Sequence, residues 1–266
     1  MRTDMFQMNR ILLTSLVFTG LVISVPAQTT AKRNPEVSKR LKEFTVMVSD
    51  RKAPKDAEAK KIIDWAVGLY PNMHKSDQQY FAKEIGRTIR SPRITRDTRN
   101  DGLYRAIITA LGKAGTNGSR ELVAAFDHRK FKGEDEWLTL RAFMLEHLGR
   151  TKDLRQVDFL LKVAMRDPVD SLMASAGGAL RHYGDAKLSL RKTIVKDLHR
   201  KFAEVYDNAH KNLDTGDTVR QTWERRHSVV ADDWNSALQA LTKQQLRGAN
   251  AWTRFWNKNK DKNWDK

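Results

Sequence analysis

One apolar spacing, repeated between the same kinds of punctuation, limits this chain more than any other feature. In residues 171–185, SLMASAGGALRHYGD, Leu172, Ala176, Ala179, Leu180 and Tyr183 stand at i, i+4, i+7, i+8 and i+11, on one face of a helix. Asp167 is placed to cap the first amides, and Pro168 to take the first helical position, where its missing N–H costs nothing. Gly184 is expected to supply the left-handed turn that ends the helix. Leu103, Ile107, Ala110, Leu111 and Ala114 carry the same spacing and end at Gly115; Leu140, Met144, His147 and Leu148 carry it again, with Lys152-Asp153 where a glycine would stand. Each such helix has one face to bury and its neighbours to bury it against, which predicts an all-α array.

Every copy is followed by a tight turn and a partner helix, residues 119–126 with Ser119 as cap in the first case, and Val157, Leu160, Leu161 and Ala164 in the second. Taking Leu111, Leu148 and Leu180 as equivalent gives spacings of 37 and 32, in the range of helical-hairpin repeats. In RAIITALGKAGTN, RAFMLEHLGRTKD and ASAGGALRHYGDA the chain resembles the HEAT-like repeat family. The likeness spans about 85 residues and extends more faintly to Val67 and Leu238. It implies a right-handed solenoid of antiparallel helix pairs, armadillo-like in architecture, with about five pairs. It also implies, most often, protein binding.

The ends say where such an array would work. Met8-Asn9-Arg10 precedes an apolar run over residues 11–25, and Val25-Pro26-Ala27 offers a small-residue cleavage site, so residues 1–27 read as a secretory signal peptide cleaved after Ala27. The run is shorter than the ~20 residues of a comfortable span; an uncleaved anchor is the alternative. The absence of cysteine excludes a lipid-modified cysteine and any disulfide framework. An exported bacterial protein, periplasmic or secreted, is the expectation, with residues 28–35 as a polar, disordered leader.

Charge separates the flanks from the centre. Residues 28–100 carry 17 basic and 9 acidic side chains, residues 101–185 carry 13 and 12, and residues 186–266 carry 17 and 10. A basic field draws anions from a distance. Outside the cytoplasm those are lipid headgroups, cell-wall polymers or acidic proteins, and nucleic acid is not the expected partner.

Residues 36–100 form the N-terminal helices, with Val37, Leu41, Phe44 and Val48 in line, then Ala59, Ile63, Ala66, Val67 and Tyr70, then Phe81, Ile85 and Ile89. The last of these runs into RTIRSPRITRDTR, where Arg87, Arg90, Arg93, Arg96 and Arg99 recur every third residue. That period lines up along an extended polyproline-like or a 3₁₀ segment, of which Pro92 favours the former, and planar guanidinium forks suit phosphate or carboxylate. The plainer reading is a solvated basic loop with two arginines paired to Asp97 and Asp101. The array itself covers residues 101–213, ending in one long helix from residue 187. Residues 214–226 read as a loop, and residues 227–266 as a helical cap with a Trp- and Lys-rich tail.

In that tail Trp252, Phe255 and Trp256 share a helical side, and Lys258, Lys260 and Lys262 follow. The rings either seal the open face of the last repeat or form an aromatic, basic platform for a glycan or membrane surface.

Catalytic signatures are missing from the sequence. There is no HExxH and no His-Glu dipeptide, so the resemblance does not bring the iron chemistry of the HEAT-type hydroxylases, which rely on such pairs. No cysteine nucleophile, GxSxG or phosphate-cradling glycine loop occurs. His147 reads as a core histidine satisfied by one hydrogen bond, Gly177-Gly178 as a close helix contact, and Glu134-Asp135-Glu136 and Asp232-Asp233 as acidic first turns. The expectation is a non-enzymatic scaffold for a protein or peptide, with no catalytic residue, metal or cofactor. A binder of anionic cell-wall polymer or lipid, using the arginine ladder and the tail, is the alternative. A DNA-acting enzyme of the HEAT-like kind is a third class, and the export signal argues against it.

Overall fold

Amphipathic periodicity translates directly into helices. The computed structural model describes residues 33–50, 52–132, 135–211 and 218–265, and these contain eleven α-helices and no strand. In order they are α1 (Pro35–Val48), α2 (Asp56–Leu69), α3 (Lys75–Arg90), α4 (Gly102–Lys113), α5 (Thr116–Phe126), α6 (Leu138–Arg150), α7 (Val157–Arg166), α8 (Asp170–Ala179), α9 (Leu188–Ala209), α10 (Thr218–Thr242) and α11 (Ala249–Asn259). Residues 1–27, read above as a signal peptide, lie outside the described residues. Among the described residues, no helix is long and apolar enough to cross a membrane.

The recurring face is the buried one. Leu103, Ile107, Ala110 and Leu111 of α4, Leu140, Met144 and Leu148 of α6, and Leu172, Ala176 and Ala179 of α8 are all at most 2% exposed. They join one apolar core that runs from Val37 to Trp252. The principal helix contacts link each helix to its next or next-but-one neighbour: α2 to α4, α4 to α6, α6 to α8 and α8 to α10, and likewise α1 to α3, α3 to α5, α7 to α9 and α9 to α11. Across these series α1 meets α2, α3 meets α4, α5 meets α6, α7 meets α8 and α9 meets α10.

Several local expectations are corrected. Asn34, placed in the leader, caps α1: its Oδ1 accepts from Glu36 N at 3.0 Å, its own N–H donates to Asp77 at 2.8 Å, and Pro35 takes the first helical position. The helix after Gly115 begins at Thr116, so Ser119 is not its cap; buried in the first turn, its hydroxyl donates to Asp153 Oδ2 at 2.5 Å. At the opposite end of the array α8 starts at Asp170. Asp167 instead accepts from Val169 N at 3.0 Å, a turn just outside the helix, and Pro168 precedes it.

Gly184 is right-handed, at φ −58°. A Cβ there would lie 2.8 Å from the Ala240 carbonyl, so its smallness serves a close approach to α10. Left-handed turns are instead made by Gly115, at φ 57°, and by Lys152, at φ 51°. Lysine can hold this conformation at a modest steric cost.

Residues 218–226, read as loop, are the first turns of α10. An i,i+4 pair, Arg220 to Glu224 at 2.8 Å, and a 2.7 Å ion pair from Arg226 to Asp170 of α8 stabilise a segment with little apolar surface. Asp232 and Asp233 consequently sit in mid-helix rather than in a first turn, and burial raises the pKa of Asp233.

Candidate functional site

The five arginines do not form a ladder. Helix α3 extends through Arg87 and Arg90, so these two follow the helical period, and the extended geometry predicted for the whole run fails there. Arg87 pairs with Glu84 at 2.8 Å. Arg90 Nη2 lies 2.7 Å from Glu121 Oε2, close enough for an ion pair although off the hydrogen-bond direction. Arg93 and Arg99 are exposed, whereas Arg96 turns inward with its side chain 1% exposed. Its Nε and Nη2 grip both oxygens of Asp56, at 2.7 and 2.8 Å, and Nη2 also donates to the Val48 carbonyl at 3.0 Å. An external anion cannot reach that guanidinium. The predicted pairings to Asp97 and Asp101 are also replaced: Asp97 accepts from the Arg99 backbone, and Asp101 pairs with Arg105 at 2.8 Å.

The tail divides in the same way. Trp252 is 1% exposed, and its Nε1 donates to Asn235 Oδ1 of α10 at 2.8 Å. Half-buried Trp256 packs on His199 of α9 at 5.3 Å and on Trp264 at 6.2 Å. The indoles are thus spent on closing α11 against its neighbours, while Lys258 and Lys260 remain exposed. The structure does not bring arginines and tail together: the principal contacts of α3 are with α1, α4 and α5, and those of α11 are with α9.

Two clefts lie elsewhere. The larger, about 620 Å³, separates α7 from α9. Its floor is Leu161 and Met165, and its walls carry Asp158, Lys162 and Arg166 from α7 and Asp197, Arg200, Lys201 and Glu204 from α9. Arg200 leans on Asp197 at 3.4 Å and Lys201 on Glu204 at 2.6 Å, so the α9 wall is internally balanced. The second cleft, about 430 Å³, lies between α3 and α5 and is lined by Gln79, Lys83, Thr116, Asn117, Arg120, Glu121 and Arg155.

A charged hub joins α6 to the end of α8. Glu146 receives Arg150 Nε at 2.9 Å, Arg181 Nη2 at 2.8 Å and His182 Nε2 at 3.0 Å. Burial by itself would raise its pKa, but the hydrogen bonds from His182 and Arg150 and the charge of Arg181 outweigh it and hold the carboxyl down to about 2. Nearby His147 is 3% exposed and packs on Phe143 at 4.3 Å. Its Nδ1 finds no partner among the described residues, so the single satisfying hydrogen bond expected for it is not formed there. Burial, reinforced by the charge of Arg150, lowers its pKa to about 4, and burial does the same for His199, also to about 4.

These shifts set two acid windows. A buried neutral histidine keeps its full contribution above its ordinary pKa of 6.5 and loses stability as pH falls from there to about 4. A depressed carboxyl keeps its contribution above 4.5 and loses it as pH falls to about 2. Urea unfolding across this range should therefore show stability falling in two stages. His147→Met is expected to flatten the upper stage by about 2 kcal/mol, and Glu146→Gln the lower one by a similar ~2 kcal/mol. Identical pH profiles for His147→Met and the parent chain would refute the upper assignment.

Similarity to known proteins adds nothing to this geometry. No family model, no curated protein and no solved structure matches the chain. Among the described residues, no group of three or more His, Asp or Glu side chains is arranged to hold a metal.

The clefts were missed because periodicity reads the buried face. A usable signal existed in the polar positions: Asp158, Lys162 and Arg166 stand at i, i+4 and i+8, a charged stripe beside the buried Leu160 and Leu161. Likewise Lys83 is two positions from buried Phe81, and Arg120 two from Leu122.

Proposed function

We propose that this chain is a non-enzymatic scaffold that binds a protein or peptide, built as a HEAT-like solenoid and exported from a bacterial cell to the periplasm or beyond. The observation that carries the reading is the α7/α9 cleft. It is open, lined by apolar Leu161 and Met165, and edged by charges of both signs, which is the chemistry of a peptide's mixed side chains rather than of one small substrate. Contacts among α2, α4, α6, α8 and α10, and a second series through α7, α9 and α11, are those that two stacked layers of helices would make. Grooves between successive helices of one layer are where such arrays receive partners.

A photo-crosslinking residue at Lys162, compared with one at exposed Asp64 of α2, tests this in the cell that makes the protein. A defined protein band is expected from position 162 and not from position 64, and Arg166→Glu should reduce its yield by about tenfold. Equal labelling at both positions, or none at 162, would remove the α7/α9 cleft as the binding groove and with it the observation that carries the reading.

A further inference from the structure

The second cleft is more one-sided in charge than the first, with three basic side chains to one acid. Of its lining, Lys83 of α3 and Arg120 of α5 are exposed and make no ion pair or hydrogen bond among the described residues. Arg155 is held at the rim, Nη2 on Asp153 Oδ2 at 2.9 Å and 3.5 Å from the Thr116 carbonyl. The one acid in the lining, Glu121, is taken up by Arg90 at 2.7 Å. What remains is a cavity of about 430 Å³ with two uncommitted cations and a third at its edge. Gln79, Thr116 and Asn117 complete the lining. Asn117 already donates its Nδ2 to Tyr70 Oη at 3.0 Å, which leaves its carbonyl oxygen as an acceptor.

We propose that the α3/α5 cleft binds an acidic peptide segment, its carboxylates on Lys83 and Arg120 and its backbone on Gln79, Thr116 and Asn117. This deepens the scaffold reading, on which it rests, by naming a partner chemistry. Three anions compete for such a site, and the lining chooses between them. A single-stranded nucleic acid wants aromatic faces for its bases, and no ring lines this cleft. An anionic membrane is gripped by a convex surface with apolar side chains to insert; the large apolar side chains that are exposed, Val46, Leu154, Val219 and Val229, lie outside it. A peptide alone presents carboxylates beside amide donors and acceptors, and neutral hydrogen-bonding side chains interleaved with arginine match that alternation.

Fluorescence anisotropy of a labelled decaglutamate on the whole exported chain tests the assignment, at about 0.15 M salt, where unspecific attraction is largely screened. Lys83→Glu with Arg120→Glu should weaken binding by about tenfold or more. Lys42→Glu with Lys61→Glu makes the same change of net charge at exposed, unpaired positions on α1 and α2, and should alter it less than about twofold. If charge reversal disturbs folding, as melting would reveal, the Gln pair at 83 and 120 replaces it. Absence of decaglutamate binding, or equal loss in the two charge-reversed proteins, overturns the proposal. So does a thymidine decamer, or a phosphatidylglycerol vesicle, bound as tightly and with the same dependence on Lys83 and Arg120. A crosslink at position 162 with indiscriminate peptide binding overturns this assignment alone. Discriminating binding without that crosslink leaves this assignment standing and overturns the α7/α9 cleft as the scaffold's groove instead.

Discussion

Replacing Arg96 by alanine is expected to lower the unfolding free energy by about 3–5 kcal/mol, among the largest losses any single side chain of this protein can cause. The reason is position. Arg96 closes a junction of four segments: its guanidinium holds Asp56 at the start of α2 and the Val48 carbonyl at the end of α1, its Nη1 holds Thr95, and its backbone N–H donates to Tyr104 Oη of α4 at 3.0 Å. Tyr104 Oη in turn donates to the Ile94 carbonyl at 2.8 Å. Truncation leaves Asp56 buried without its counter-charge, and desolvation of that carboxylate dominates the loss. Denaturant unfolding should show the midpoint fall with an unchanged slope. Asp56→Asn alone should cost less, since an amide oxygen still accepts one of the two bonds. Had Arg96 belonged to an external anion site, its removal would leave stability untouched and weaken anion binding; an unshifted midpoint would therefore overturn the junction.

That residue also marks the boundary of what the sequence discloses. Apolar spacing identifies helices because burial acts on every third or fourth residue of one segment, and Leu103 to Leu111 or Leu172 to Ala179 can be read without knowing their neighbours. An arginine's partner is a different kind of fact. Asp56 stands 40 positions upstream of Arg96, and nothing in a period of three distinguishes the inward member from Arg93 and Arg99 in the solvent. The start of α10 fails for the opposite reason: residues 218–226 carry few apolar side chains, so their helicity rests on charge pairs such as Arg226 to Asp170 that span two helices. Gly184 misled because a glycine after an apolar helix has two uses, a left-handed turn or a close contact, and only the position of α10 decides between them. The clefts escaped for a related reason, since a groove is made by the exposed sides of two helices at once.

Gly177 carries the same lesson into a second large expected effect. It sits within the helix whose spacing recurs along the chain, and a Cβ built there would collide with the indole of Trp234, at Nε1 and Cδ1. That indole is fully buried and donates to the Met173 carbonyl at 3.1 Å. In an exposed helix, Gly→Ala would stabilise by ~1 kcal/mol. Here the added methyl must displace a ring packed between α8 and α10, with a strain of about 1–3 kcal/mol and an unmade buried hydrogen bond of ~1–3 kcal/mol. The net expectation is a loss of about 2–4 kcal/mol, or roughly 5–15 °C in Tm for a domain of this size. A double-mutant cycle separates this clash from any general weakness of α8. Trp234→Ala removes both colliding atoms at its own, larger cost in packing, so Gly177→Ala made in that background should cost at least about 1 kcal/mol less than in the parent chain. Additive losses would mean that α8 and α10 can part to admit the methyl. Gly177 would then be a composition accident rather than a point at which α8 makes room for a side chain of α10.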